Sequence, residues 1–118
     1  PLSVYGDGKQ RRCFCSVYDI VKGLKGIMES PDTAGEVINL GSTQEISIIE
    51  LAKLVLTLTK SKSTIEFIDA KEVFGETFED IELRYPSLEK AQKLINWQPQ
   101  FSINNIINDI RASLEKTL

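Results

Sequence analysis

The apolar positions fall into short blocks whose period changes along the chain. Leu2 to Tyr5 reads as a strand and Gly6-Asp7-Gly8-Lys9 as its turn, with Arg11 to Val17 as the strand returning from that turn. From residue 20 the period becomes helical: Ile20, Val21, Leu24, Ile27 and Met28 share one face. Ser16-Val17-Tyr18-Asp19 has the form of a capping box at the start of this helix, with Asp19 answering the serine. Ser30 to Gly35 carries turn chemistry. Glu36 to Leu40 then reads as a strand, closed by Gly41.

Ser47-Ile48-Ile49-Glu50 is a second capping box. Its helix places Ile48, Leu51, Ala52, Val55 and Leu58 on one face, until Lys60 to Ser63 break the pattern. Thr64 to Ile68 is a strand with Ile65 and Phe67 on one side. Asp69 to Tyr85 has no clear period, holds Phe74, Phe78 and Ile81, and reads as a long loop with room for a turn of helix. After Pro86, Ser87 caps a helix running to about Ile95, and Asn96 supplies a left-handed cap. Trp97-Gln98-Pro99 turns the corner, and Ser102 caps a last helix faced by Ile103, Ile106, Ile107, Ile110 and Leu114. The order predicts one small mixed α/β unit over residues 1–118, without the repeating βαβ turns of a complete Rossmann domain.

Composition narrows the class. The chain has 118 residues, 42% hydrophobic and 26% charged, which suits one globular domain. A net charge of -3 argues against bulk nucleic-acid binding but allows a local basic pocket. No apolar run approaches the roughly 20 residues that span a bilayer, and no signal peptide is evident, so a cytoplasmic location is expected. The chain starts with Pro1, as a piece of something longer would. Cys13 and Cys15 are too close for an unstrained disulfide and read as buried or half-buried thiols in a reducing compartment. With no histidine and no second cysteine pair, a metal site is not expected.

The candidate chemistry lies in four arginines: Arg11, Arg12, Arg84 and Arg111. A guanidinium stays charged and offers a planar fork that matches a diphosphate. Arg12 follows the glycine turn and Arg84 ends the long loop, so the two could converge on one diphosphate, although surface arginines in weak ion pairs are commoner. Tyr18 and Lys22 have Tyr-x-x-x-Lys spacing on a helix, which four-residue steps produce easily by chance. They read as an exposed helix face. Asp69, Asp80 and Glu82 read as solvated loop acids, so no catalytic residue is assigned to this chain.

An ordered series of segments resembles the extended short-chain dehydrogenase/reductase family: NAD-dependent epimerases, dehydratases and decarboxylases of nucleotide sugars. Gly6-Asp7-Gly8-Lys9-Gln10-Arg11-Arg12-Cys13-Phe14 is similar to the family's turn-and-arginine segment, and Val17-Tyr18-Asp19 to its V-x-D helix start. Asn39-Leu40-Gly41, Ser47 to Leu51, Arg84-Tyr85-Pro86-Ser87 and Leu94-Ile95-Asn96-Trp97-Gln98-Pro99 follow in family order. Each match is weak by itself; the ordered set is strong.

The resemblance implies the C-terminal, substrate-binding lobe of such an enzyme, with the Rossmann half that carries NAD missing. It implies that Arg12 grips the diphosphate of a UDP- or dTDP-sugar and that Leu2, Ser3, Val4 and Tyr5 line the base pocket, Tyr5 packing on the base. Arg84 matches an arginine that approaches the diphosphate or reacting sugar in UDP-glucuronate decarboxylases, and in the bifunctional polymyxin-resistance enzyme it is a proposed proton donor. Phe78 stands where one decarboxylase has a substrate-binding tyrosine, so that hydroxyl contact does not carry over. In the intact enzyme, bound NAD would oxidise the sugar at C4, and this lobe would orient the sugar nucleotide. The lobe alone should hold no NAD, since the family's glycine-rich dinucleotide turn and catalytic pair belong to the other half. A homo-oligomer is expected. The rival readings are a stand-alone binding or scaffold module and an unrelated small acidic α/β protein.

Overall fold

The computed structural model describes residues 1–77, 79, 81 and 84–117. Phe78, Asp80 and Glu82 therefore lie outside the described residues. The elements are β1 (Leu2–Tyr5), β2 (Arg11–Cys13), α1 (Val17–Glu29), a 3-10 turn (Pro31–Thr33), β3 (Glu45–Ser47), α2 (Ile48–Thr59), β4 (Ile65–Ile68), α3 (Ala70–Phe74), α4 (Glu89–Ile95) and α5 (Ile103–Thr117). They form two units: residues 1–12 with 45–84, and residues 13–44 with 85–118.

In the first unit β1 and β4 pair in parallel, with Leu2 opposite Ile65, Val4 opposite Phe67 and Tyr5 opposite Ile68. β2 pairs instead with β3. The strand expected to return from the glycine turn therefore neither pairs with β1 nor runs to Val17. It ends at Cys13, because the backbone turns to let Ser16 cap α1, the Ser16 hydroxyl accepting from the Tyr18 N–H at 3.2 Å. The glycine turn is pinned to the start of α2: Ile49 N–H donates to the Gly8 carbonyl and Ile48 N–H to that of Gln10. Val4, 2% exposed, lies beneath it. Gly8 has φ +71°, and a Cβ there would sit 2.9 Å from Val4 Cγ1 and 3.0 Å from Ile49 Cβ, so glycine is required both by conformation and by space.

The capping box on α2 forms in both directions. Glu50 N–H donates to the Ser47 hydroxyl, and Ser47 N–H donates to the Glu50 carboxylate at 2.9 Å. Lys60 ends the helix in the left-handed conformation, φ 54°. A single turn and a half, α3, rises from the expected loop after Asp69 caps it by accepting from Lys71 N–H.

In the second unit α1 does not bury the whole stripe read from the sequence. Val21, Leu24 and Met28 are exposed, Met28 at 86%, while Asp19 and Gly23 face inward. Gly23 is where Leu40 and Trp97 close on the helix: a Cβ would meet Leu40 Cδ1 at 2.8 Å. With Leu40 used in this contact, residues 36–40 form no strand, and Lys90 holds Glu36 in an exposed ion pair at 2.6 Å. α4 begins one residue later than expected and has no side-chain cap. Asn96 does take the left-handed cap, φ 48°. Ser102 caps α5 by accepting from Asn105 N–H, with the Asn105 carboxamide answering to Ser102 N–H. Ile107 faces inward, whereas Ile110 and Leu114 are exposed.

Candidate nucleotide-sugar site

All six residues assigned to substrate contact lie in the first unit. Along β1, Val4 and half-buried Leu2 alternate with exposed Ser3 and Tyr5, as a strand with one covered face requires. Tyr5 is 39% exposed, and Gln10 Nε2 donates to its carbonyl at 3.1 Å. Its ring meets Phe74 edge-on, the centroids 5.3 Å apart and the planes at 66°. The register explains this meeting. Tyr5 stands beside Ile68, Asp69 caps α3 directly after β4, and α3 carries Phe74 back to the end of β1.

The two adjacent arginines separate in role. Arg11 is held by glutamates: Nε lies 3.4 Å from the Glu45 carboxylate and Nη1 3.6 Å from that of Glu50. Arg12 meets main-chain carbonyls. Its Nη1 donates to the Arg11 oxygen at 2.7 Å and to the Ile81 oxygen. The Ile81 bond brings the Arg12 guanidinium to the segment that Arg84 closes three positions later. Arg84 itself is exposed.

Charge around the turn is local. Asp7 sits beside Lys9, and the Lys9 backbone N–H lowers its carboxyl pKa. The Glu50 carboxyl is also lowered, first by Ser47 N–H and its hydroxyl, then by Arg11 and Lys53. Gly6 and Gly8 connect β1 to β2 and lead into no helix N-terminus. This turn does not fit the strand–glycine–helix cradle of a dinucleotide. Among the described residues, no group of three histidine, cysteine, aspartate or glutamate residues could hold a metal ion, and no helix is long and apolar enough to cross a membrane.

In the second unit, Tyr18 is 60% exposed and tilts against Phe101, their centroids 6.0 Å apart. Lys22 is exposed too. Asp19 does not close the capping box expected of it. Its buried carboxylate accepts instead from the N–H groups of Gln100 and Phe101, each at 3.0 Å, and its carbonyl accepts from the Trp97 indole at 2.9 Å. Cys13 and Cys15 are half-buried and not joined in a disulfide. Burial, then the nearby Asp19 charge, raises the pKa of Cys15.

Sequence reasoning missed the pairing of Phe74 with Tyr5 and the clasp of Asp19. The first was legible only through the parallel register of β1 and β4. The second had a signal in the V-x-D and W-x-P segments, but nothing local joins them.

A family model described as GDP-mannose 4,6 dehydratase matches residues 1–110. The chain belongs to this family. UDP-glucuronic acid decarboxylase 1 of Arabidopsis thaliana is 37% identical over 115 residues, covering 94% of this chain and 25% of the relative. The epimerase Mth375 of Methanothermobacter thermautotrophicus superimposes with a TM-score of 0.86 at 28% identity, over 99% of this chain and 33% of that one. The UDP-glucuronic acid 4-epimerase of Bacillus cereus, solved with UDP-glucuronic acid and NAD, gives 0.85 at 22% identity, over 100% of this chain and 36% of that one, a likeness of fold. The chain thus spans a quarter of the curated relative and about a third of these solved structures. The small mixed α/β fold is that of the epimerases and dehydratases, and the resemblance to the extended short-chain dehydrogenase/reductase family holds.

Proposed function

We propose that this chain is the nucleotide-sugar-binding lobe of an NAD-dependent epimerase, dehydratase or decarboxylase, and that its first unit takes the base and diphosphate of a UDP- or dTDP-sugar. The observation that carries this reading is the reach of Arg12 to the Ile81 oxygen, three positions before Arg84. Arg11 is paired with Glu45 and Glu50, while the Arg12 guanidinium donates to the main-chain oxygens of Arg11 and Ile81. A diphosphate, bearing full negative charge, is a stronger acceptor than a neutral carbonyl and would exchange for it at the guanidinium. Tyr5 presents an exposed ring at the end of β1 for the base, with Leu2, Ser3 and Val4 forming the strand behind it. Arg84, exposed and last in sequence in this unit, supplies a second cation.

This lobe binds and orients; hydride chemistry belongs to residues outside these 118, where the dinucleotide would be held. A pocket completed by another part of the protein implies weak binding by this lobe alone. The test is an NMR titration of the chain with UDP and dTDP. Shifts centred on Tyr5, Arg12 and Arg84 at millimolar ligand are expected. Sub-micromolar affinity would overturn the shared pocket, and an unchanged spectrum for the first unit would overturn the site.

A further inference from the structure

We infer that Phe74 is a positioning residue for the base, fixing the Tyr5 ring and walling one side of the place where the base stacks; this rests on reading the first unit as the nucleotide-sugar site. Neither ring is in the core: Tyr5 is 39% and Phe74 54% exposed, yet they pack edge-on at 5.3 Å. At 39% exposure the Tyr5 ring keeps open surface on which a flat group can stack. The 66° between the planes makes a corner. A flat base stacked on Tyr5 turns its edge towards Phe74.

The cause of the corner is local. Tyr5 is the last residue of β1, where a lone exposed aromatic would sample several rotamers. α3 removes that freedom. Asp69 starts it immediately after β4, and the parallel partner of Tyr5 is Ile68, so Phe74 is delivered to the strand end. A ring already held in place loses less freedom when a ligand stacks on it. The benefit reaches only ligands with a base. A diphosphate without one meets Arg12 and gains nothing from Phe74.

That difference is the test. Affinities for UDP and for inorganic pyrophosphate are measured in the intact protein and in Phe74→Ala, Phe74→Tyr, Tyr5→Ala, the Tyr5→Ala/Phe74→Ala pair and Arg12→Ala. Phe74→Ala should weaken UDP about five- to tenfold, the scale of one aromatic pair, and leave pyrophosphate unchanged. Phe74→Tyr should restore UDP binding, and the double variant should bind no worse than Tyr5→Ala. An unchanged UDP affinity in Phe74→Ala, with Arg12→Ala still weakening both ligands, overturns the inference and spares the site. Equal weakening of UDP and pyrophosphate by Phe74→Ala would reveal general damage and also overturn it. If Arg12→Ala weakens neither ligand, the site reading fails and this inference with it.

Discussion

The indole N–H of Trp97 donates to the main-chain oxygen of Asp19 at 2.9 Å, tying the first turn of α1 to the corner that precedes α5. The same aspartate accepts from the next corner residues, Gln100 and Phe101, while only 1% exposed. Substituting Asp19→Asn keeps the shape but replaces one acceptor oxygen with a donor facing donors. Urea melts should show a loss of about 1–3 kcal/mol, the cost of a buried polar group left unmatched. An unchanged midpoint would mean that the clasp contributes nothing.

Gly8 and Gly6 make a matched pair. Both have positive φ, but only Gly8 faces Val4 and Ile49. Gly6→Ala should cost about 1 kcal/mol for the left-handed backbone alone. Gly8→Ala adds overpacking against the core and should cost about 2–4 kcal/mol. Equal losses in thermal unfolding would show that the contact relaxes freely.

Arg12→Ala in the intact protein should weaken sugar-nucleotide binding by about 2–4 kcal/mol, the scale of a lost charge-assisted contact, with NAD affinity unchanged. Arg12→Lys should recover part of this, since an ammonium lacks the planar fork. Arg11→Ala should leave affinity intact and reduce stability by less than about 1 kcal/mol, as for partly exposed ion pairs. Calorimetry separates the cases; a Michaelis constant untouched by Arg12→Ala would remove it from the site.

The Glu50 carboxyl is lowered from 4.5 in the folded chain, chiefly by Ser47 N–H. Its charged form is favoured by folding, so this stabilisation is complete above the unfolded value and disappears as pH falls through the folded one. Glu50→Gln should therefore melt below the parent at neutral pH, and the gap should narrow on acidification below pH 4.5. A gap independent of pH would assign the effect to packing.

Val21, Leu24 and Met28 leave an apolar stripe exposed on α1. The chain by itself should associate at high concentration, and Val21→Lys with Met28→Lys should reduce that association. Light scattering of a 13.3 kDa monomer at all concentrations would count against it.

Three local signals were read well, whereas the box expected at Ser16 and the cap expected at Ser87 did not form. The box at Ser47 and Glu50, the left-handed cap at Asn96 and the Ser102 start of α5 each depend on residues within one helical turn. The family, and with it the fold, was legible because short motifs kept their order along the chain. Pairing was not legible. A glycine turn between two apolar runs has the form of a hairpin, but β1 finds β4 and β2 finds β3, choices made by distant segments. The inward face of α1 failed for a related reason: Gly23 has no side chain to register in an apolar stripe, yet Leu40 and Trp97 need its emptiness. Arg12 and Tyr5 were singled out by motif, whereas Phe74 gained meaning only once α3 was seen to follow β4 so closely.

The two units are interleaved in the chain, each assembled from an early and a late stretch. No single cut releases either one whole. Truncation from one end trims only one unit at first, but a deeper cut damages both. During synthesis β1 emerges first and has no partner until β4 leaves the ribosome, after α1 and α2 have been made. Nascent chains arrested before Ile68 should thus expose the edge of β1 to chaperones, and the Tyr5–Phe74 ring pair should form only after α3 has been made.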